Sequence, residues 1–255
     1  FGFFCVFCLF FCYDMEPGLI PLVVGVVSTP EGLERAADQS SWPCDVVEIR
    51  LDLIGDESCD WPVSALRLTK GGVGTLLTIR HASEGGRWNG DEQARLDCYI
   101  QGLPHVTGID IELRASILPD VISLAQDKAT VIGSHHNFRS MPESAALQSV
   151  VKEGMEAGVD VVKIAAYAND QFELNRLMGL LKKNHAAHLC AMAMGPMALE
   201  SRISLPMAGS CLTYGYLDKP NAPGQPSAME IRDRLIAQHE EYRVFTEIRA
   251  QLDTE

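Results

Sequence analysis

The sequence predicts an α/β protein built as a single parallel (β/α)8 barrel. Three observations point there. Eight short runs rich in Val, Ile, Leu and Thr alternate with longer amphipathic stretches, the pattern of parallel strands buried on both faces and joined by helices. The chain has 255 residues, close to the roughly 250 typical of one such barrel. A doubly wound sheet is the alternative, but neither GxGxxG nor GxxxxGK(S/T) follows any of the runs.

The strand candidates are Val23–Val27, Val46–Leu51, Gly74–Arg80, Gly108–Leu113, Thr130–Ser134, Asp160–Ala165, His188–Ala193 and Ser210–Gly215. Helical spacing fills several gaps between them. After Asn89, a candidate N-cap, Leu96, Tyr99, Ile100 and Leu103 recur on one face. Pro142 suits a first turn, Leu147, Val150, Val151 and Met155 form the next face, and Gly158 suits its stop. Asp170 with Glu173 reads as a capping box ahead of Leu174, Leu177, Met178 and Leu181. A short helix is expected after Pro196, and Ala228–Leu252 is helical in composition.

Residues 1–14 stand apart. Phe1 to Tyr13 contains no charge, yet it is shorter than the about 20 apolar residues that cross a bilayer. It also lacks the basic start and small-residue cleavage site of a secretory signal. These residues are expected to be a spurious or non-native extension, with 15–255 forming the barrel. Cys5 and Cys8 make a CxxC there with no second pair to complete a metal site, and the remaining thiols are scattered. Scattered thiols suit a reducing cytoplasm.

Charge excludes some partners. Lys+Arg number 21 against 34 Asp+Glu, a net charge of −13. Nucleic acid and anionic membrane both demand a positive field. A small anionic substrate responds to the local pocket and stays open.

In a barrel of this kind, chemistry gathers at the C-terminal ends of the strands. Glu48 and Arg50 end the second run, Arg80 the third, and His135-His136 follow the fifth. Lys163 lies inside the sixth, the one lysine of seven embedded in an apolar run. A buried lysine either attacks a carbonyl as a neutral amine or serves in a structural ion pair. Neighbours in a strand point to opposite faces, so only one of His135 and His136 can face the barrel interior. A histidine beside such a lysine is a natural general base. Arg50, Arg80 and Arg202 suit bidentate carboxylate binding, or pairing with acids such as Glu48, Glu84 or Glu112. A metal would need three or four convergent ligands, and no HxH or HExxH occurs. The stretch Tyr216–Ser227 holds three prolines and reads as a lid or a plain surface loop.

Seven blocks in order now carry a resemblance. They are Val47-Glu48-Ile49-Arg50-Leu51-Asp52, Thr78-Ile79-Arg80 with Glu84-Gly85-Gly86, Ile109-Asp110-Ile111-Glu112-Leu113, Ser134-His135-His136-Asn137-Phe138, Asp160-Val161-Val162-Lys163-Ile164-Ala165, Ser201-Arg202, and Ala222-Pro223-Gly224-Gln225. Together they resemble the type I 3-dehydroquinate dehydratases, Schiff-base-forming enzymes of the shikimate pathway. The resemblance implies a TIM barrel that turns 3-dehydroquinate into 3-dehydroshikimate and water. It implies Lys163 as the imine-forming residue, His136 as general base and acid, and Glu84 as the group that orients His136. It implies Arg202 for the substrate carboxylate, and Glu48, Arg50, Arg80, Asn221 and Gln225 for its hydroxyls and ring. Asn221 stands where Ser is common, His135 where Tyr is common, and Ala198 where the family has a second glycine. The family implies no metal or organic cofactor, and a cytoplasmic homodimer. Another lysine Schiff-base barrel of aldolase type, or an inactive barrel kept as a scaffold, are the competing expectations.

Overall fold

The computed structural model describes residues 20–55, 60–221 and 224–252. The expectations placed on residues 1–14 and on the Cys5–Cys8 pair lie outside the described residues. Eight parallel strands form the sheet: β1 (Leu22–Val27), β2 (Val46–Arg50), β3 (Gly74–Thr78), β4 (Gly108–Glu112), β5 (Thr130–Asn137), β6 (Val161–Tyr167), β7 (Leu189–Met194) and β8 (Leu212–Tyr216). Each pairs with its sequence neighbour from β1 to β7, and β8 returns to pair with β1. The barrel is as predicted, with one seam between β7 and β8.

That seam is closed by other bonds. Cys211 N donates to Leu189 O at 2.8 Å. The Ser210 hydroxyl accepts from Ala191 N at 3.0 Å and donates to Leu212 O at 2.9 Å. Nearer the C-terminal end, Arg202 donates to Ala193 O on β7 at 2.9 Å and to Tyr214 O on β8 at 3.0 Å.

Helices cover the outside: α1 (Pro30–Ala37), α2 (Trp61–Lys70), α3 (Glu92–Gly102), α4 (Leu118–Ala125), α5 (Ser144–Ala157), α6 (Gln171–Lys183), α7 (Ala198–Ser204), α8 (Ala228–Gln238) and α9 (Glu240–Leu252). The outward residues of the strands, such as Val47, Leu77, Ile109, Val162 and Ala191, pack against them in one core. The inward residues Leu22, Val24, Val46, Leu76, Ile132, Val161 and Leu212 form a second core inside the barrel. A strand buried on both faces is therefore largely apolar, which is why the runs were legible.

Several elements differ from expectation for identifiable reasons. β5 extends past Ser134 because His135, His136 and Asn137 keep pairing with Ile164, Ala165 and Ala166 of β6. α3 is capped by Asp91, whose Oδ1 accepts from Ala94 N at 2.7 Å, and not by Asn89. Trp88 is held back in the loop, donating to Arg80 O and accepting from Ala82 N. The buried stripe of α3 is Arg95, Tyr99 and Gly102, while Ile100 is exposed. An arginine occupies a core position there, so apolar spacing misplaced the face. On α5 Met155 is exposed and Gly154 takes the buried place. Helices α1, α2 and α4, not anticipated, are short and each begins with a proline in its first turn. The expected αL stop at Gly158 and the Asp170 cap of α6 are present, with Glu173 N donating to Asp170 Oδ1 at 2.9 Å.

At the N-terminal end of the barrel, the buried Asp45 carboxylate latches α9 onto the strands. It accepts from Val23 N at 2.8 Å, from the Tyr242 hydroxyl at 2.9 Å and from Arg249 at 3.1 Å. Replacing it leaves a buried backbone N–H and hydroxyl unpaired. Asp45→Ala is expected to cost about 2–4 kcal/mol of stability, read from urea denaturation, and to leave the opposite end of the barrel untouched.

Candidate active site at the barrel mouth

The inward positions form tiers with a period of two residues. Val46, Leu76, Ile132, Val161 and Leu212 make the apolar tier. Two residues further along the same strands stand Glu48, Thr78, Ser134, Lys163 and Tyr214, with Asp110 from β4. Two further still come Arg50, Arg80 and His136, with Glu112 from β4. Along β2 and β6 the barrel core thus turns from hydrocarbon to ionic within one step, while β1 and β7 stay apolar.

Asp110 is the hub of the middle tier. Its carboxylate accepts from Lys163 Nζ at 2.8 Å, Arg80 Nη2 at 2.8 Å and Ser134 Oγ at 2.7 Å. Burial opposes its charge, but Arg80 and Lys163 outweigh that and hold its pKa below the ordinary carboxylate value. Lys163 is 4% exposed. Its Nζ also lies 3.9 Å from Glu48 Oε1 and 3.9 Å over the Tyr214 ring centroid. Glu48 in turn accepts from Thr78 Oγ1 at 2.7 Å. Of the two readings left open for Lys163, the ion pair is present, with Asp110 as the partner.

The upper tier holds the titrating pair. His136 Nδ1 lies 3.0 Å from Glu84 Oε2, and the same oxygen accepts the His136 backbone N–H at 3.1 Å. With the proton on Nδ1 facing Glu84, the lone pair is on Nε2; Arg80 Nη1 lies over this edge of the ring, 2.5 Å from Nδ1 and 2.8 Å from Nε2. Burial, then the charges of Arg80 and Lys163, push the His136 pKa well below its ordinary value, so the ring is neutral. Burial pushes Glu84 up to about 7. His135 points the other way, is only partly buried, and makes no contact with this group, as strand alternation requires.

Two glycines set Glu84 in place. Gly85 closes the one-turn helix Ala82–Glu84 in the left-handed region, at φ 77°, where Phe138 fills the space a side chain would need. A Cβ on Gly86 would overlap the carbonyl of Arg80. Phe138 stacks on the His136 ring with centroids 6.1 Å apart.

Arg202 is the odd arginine. Arg80 pairs with Asp110 and Glu112, Arg95 with Glu112 and Glu92, and Arg50 with Asp52. Arg202 is 6% exposed and its hydrogen bonds go to backbone carbonyls and Ser201 Oγ. Among the described residues no carboxylate pairs with it, and burial lowers its pKa to about 10. Ser201 supports it, accepting from Ala193 N at 3.1 Å. Asn221 and Gln225 are engaged with each other, Asn221 N donating to Gln225 Oε1 at 2.8 Å. Ala222 and Pro223 of the same block lie outside the described residues. The ends of this loop are tied by Tyr216 N to Pro226 O at 3.1 Å and Leu217 N to Val26 O at 2.9 Å.

Lys163, His136, Glu84, Glu48 and Arg80 are therefore gathered in one cluster, with Arg50 paired to Asp52 in the tier above Glu48. Sequence reasoning gave no site role to Asp110 or Tyr214. Asp110 had a usable signal, since it interrupts an apolar run as Lys163 does. A groove of about 1110 Å3 on the outside of the barrel, lined by Arg35, Trp42, Asp45, Arg232 and Arg249, shares no residue with the cluster. Among the described residues no group of three or more His, Cys, Asp or Glu side chains is placed to hold a metal, and no helix is long and apolar enough to cross a membrane.

Comparison with known proteins gives a consistent answer. A sequence profile of the family described as type I 3-dehydroquinase matches residues 22–241. A 3-dehydroquinate dehydratase of Methanococcoides burtonii is 30% identical over 230 residues, covering 88% of this chain and 96% of its own. One of Methanothrix thermoacetophila is 33% identical over 211 residues, covering 82% and 89%. The crystal structure of type I 3-dehydroquinate dehydratase from Clostridium difficile superposes with a TM-score of 0.79 at 23% identity, over 89% of this chain and 96% of that one, and so shares the fold. The chain belongs to the type I 3-dehydroquinase family, and by that membership it is an enzyme of the hydro-lyase class.

Proposed function

We propose that this enzyme dehydrates 3-dehydroquinate through an imine on Lys163, with His136 as general base and then general acid. The observation that carries the reading is the placement of one buried lysine beside a neutral histidine and a carboxylate poised near neutrality, in a barrel mouth that also holds a buried arginine without a carboxylate. Lys163 Nζ adds to the substrate ketone and water departs, leaving an iminium. The iminium withdraws electrons from the neighbouring carbon, so a proton there becomes removable. His136 Nε2 takes it, once Arg80 has turned from that nitrogen toward the substrate hydroxyls. The enamine then expels the β-hydroxyl, which collects the proton from His136 and leaves as water. Hydrolysis of the imine frees Lys163 and the product.

Other residues bind and orient. Arg202 meets the substrate carboxylate, which supplies the counter-charge it lacks. Glu84 holds the Nδ1–H tautomer and stabilises the imidazolium that forms. Glu48, Arg50, Arg80, Asn221 and Gln225 hold the ring and hydroxyls. Lys163 supplies the electron sink, so no metal or organic cofactor enters. The reading extends to a homodimer in a reducing cytoplasm, supported by the family resemblance and by the free thiols of Cys44, Cys190 and Cys211. Light scattering at the mass of a single chain would remove the dimer.

Borohydride added with 3-dehydroquinate is expected to leave a reduced adduct on Lys163 in peptide mass spectrometry. An adduct on another lysine, or none, overturns the mechanism; an adduct without release of conjugated product points to aldolase-type chemistry or an inactive scaffold. His136→Ala is expected to lower kcat by about 10²–10⁴ while the adduct still forms, and His135→Ala to stay active. Glu84 must be ionised to hold the imidazolium, and its carboxyl is pushed up to about 7. The rate is therefore expected to rise as pH increases through neutrality, and Glu84→Gln to lose that rise along with about 10–100-fold of kcat. A flat wild-type profile across neutral pH would count against the role of Glu84.

A further inference from the structure

We propose that the Tyr214 hydroxyl is a catalytic donor for imine formation, hydrogen-bonding the ketone oxygen as it is converted to the departing water. This inference rests on the Schiff-base reading and adds a residue to it. Tyr214 stands in the same inward tier as Lys163, Glu48 and Asp110, and it is 4% exposed. Every other side chain of that tier has a hydrogen-bond partner: Glu48 with Thr78, and Asp110 with Ser134 and Lys163. The Tyr214 hydroxyl has none. A buried hydroxyl left unpaired is costly, and a phenylalanine would fill the same space without that cost. Its position at the reacting amine gives it a use.

Two contacts and its tier place it there. Lys163 Nζ lies 3.9 Å over the ring, so the nitrogen that attacks the carbonyl is held against this side chain. Glu48 and Asp110, which flank Lys163, belong to the same tier. The Tyr214 carbonyl accepts from Arg202 Nε at 3.0 Å, so the residue that addresses the reacting carbon is tied to the one that addresses the carboxylate. Burial and those neighbouring groups also keep the phenol protonated, hence a donor.

The step balances without a further reagent. The Nζ lone pair bonds to the carbonyl carbon, the π pair moves to oxygen, and that oxygen takes up a proton released from nitrogen. The second proton, which the Lys163 ammonium gave to the neutral His136 before its lone pair attacked, returns to that oxygen, and the carbon–oxygen bond breaks with loss of water as nitrogen forms the double bond. Tyr214 donates a hydrogen bond to the oxygen throughout and is unchanged at the end. A carbonyl oxygen gaining negative charge accepts a stronger bond than the ketone does, so the contact favours the transition state.

Tyr214→Phe keeps the ring, the backbone contact to Arg202 and the packing, and removes only the hydroxyl. Rapid mixing with 3-dehydroquinate followed by borohydride quench at set times is expected to show the Lys163 adduct forming about 10–100-fold more slowly than in wild type. Binding of an analogue lacking oxygen at the reacting carbon is expected to be unchanged, and the Tm to be equal or higher. Adduct formation at the wild-type rate, with only the Tm moved, would mean that the hydroxyl is structural and would overturn the proposal. Absence of any adduct in the wild type is a different failure, that of the Schiff-base reading itself.

Discussion

The Asp110–Lys163 ion pair, 2.8 Å long and almost wholly buried, is the constraint around which the upper barrel is arranged. Isolated charges do not survive in such a place, so each one requires a partner. Asp110 takes Lys163 and Arg80, Glu112 takes Arg80 and Arg95, and Glu48 faces Lys163 from the other side. The three carboxylates and three cations balance. The network offers little net stability over a hydrocarbon core. What it provides is a fixed position for each group, which a flexible lysine or arginine in water would not have. Tier geometry makes this possible: the apolar step below supplies the packing, and the ionic step above supplies the chemistry.

The same balance explains the character of His136 and Glu84. The local cations Arg80, Lys163 and Arg50 are positive neighbours to a ring whose own burial already opposes a proton. Glu84 sits at the edge of the anionic group, where burial outweighs the pull of Arg80. A neutral imidazole against a carboxylate that ionises near neutrality is a pair able to accept a proton without first losing one. Arg202 lies outside the balanced set, on the seam between β7 and β8, and is the cation for which the chain supplies no carboxylate.

Much of this was legible in the sequence, and the limits have physical causes. Lys163 was visible because a lysine in a run of Val, Ile and Ala has no other explanation than burial. The barrel was visible because strands packed on both faces leave unbroken apolar runs. Asp110 carried the same kind of signal, a charge embedded in an apolar run, but was given no role. Arg95 defeated the helical face of α3, since an arginine paired with Glu112 satisfies a core position that periodicity assigns to a hydrocarbon. Tyr214 was invisible because a tyrosine in a strand is ordinary; only the absence of a partner for its hydroxyl distinguishes it, and that is a property of the packed tier. The dual use of Ser201-Arg202, closing a seam and presenting a cation, likewise depends on two strands that are distant in the chain.

A net charge of −13 would repel an anionic substrate if it acted as a uniform field. It does not, because the carboxylates inside the barrel are already matched by Arg80, Arg95 and Lys163 at contact distance. Seen from the mouth, matched pairs contribute little beyond their own length, whereas Arg202 contributes a whole positive charge in a place from which water is largely excluded. Recognition of a carboxylate therefore comes from one unpaired guanidinium in a neutralised lining. Adding further cations to the mouth would strengthen attraction at long range but would oppose still further the proton that His136 has to accept, which burial, Arg80 and Lys163 already disfavour. The acidic composition and the affinity for an acid are compatible because they are set at different distances.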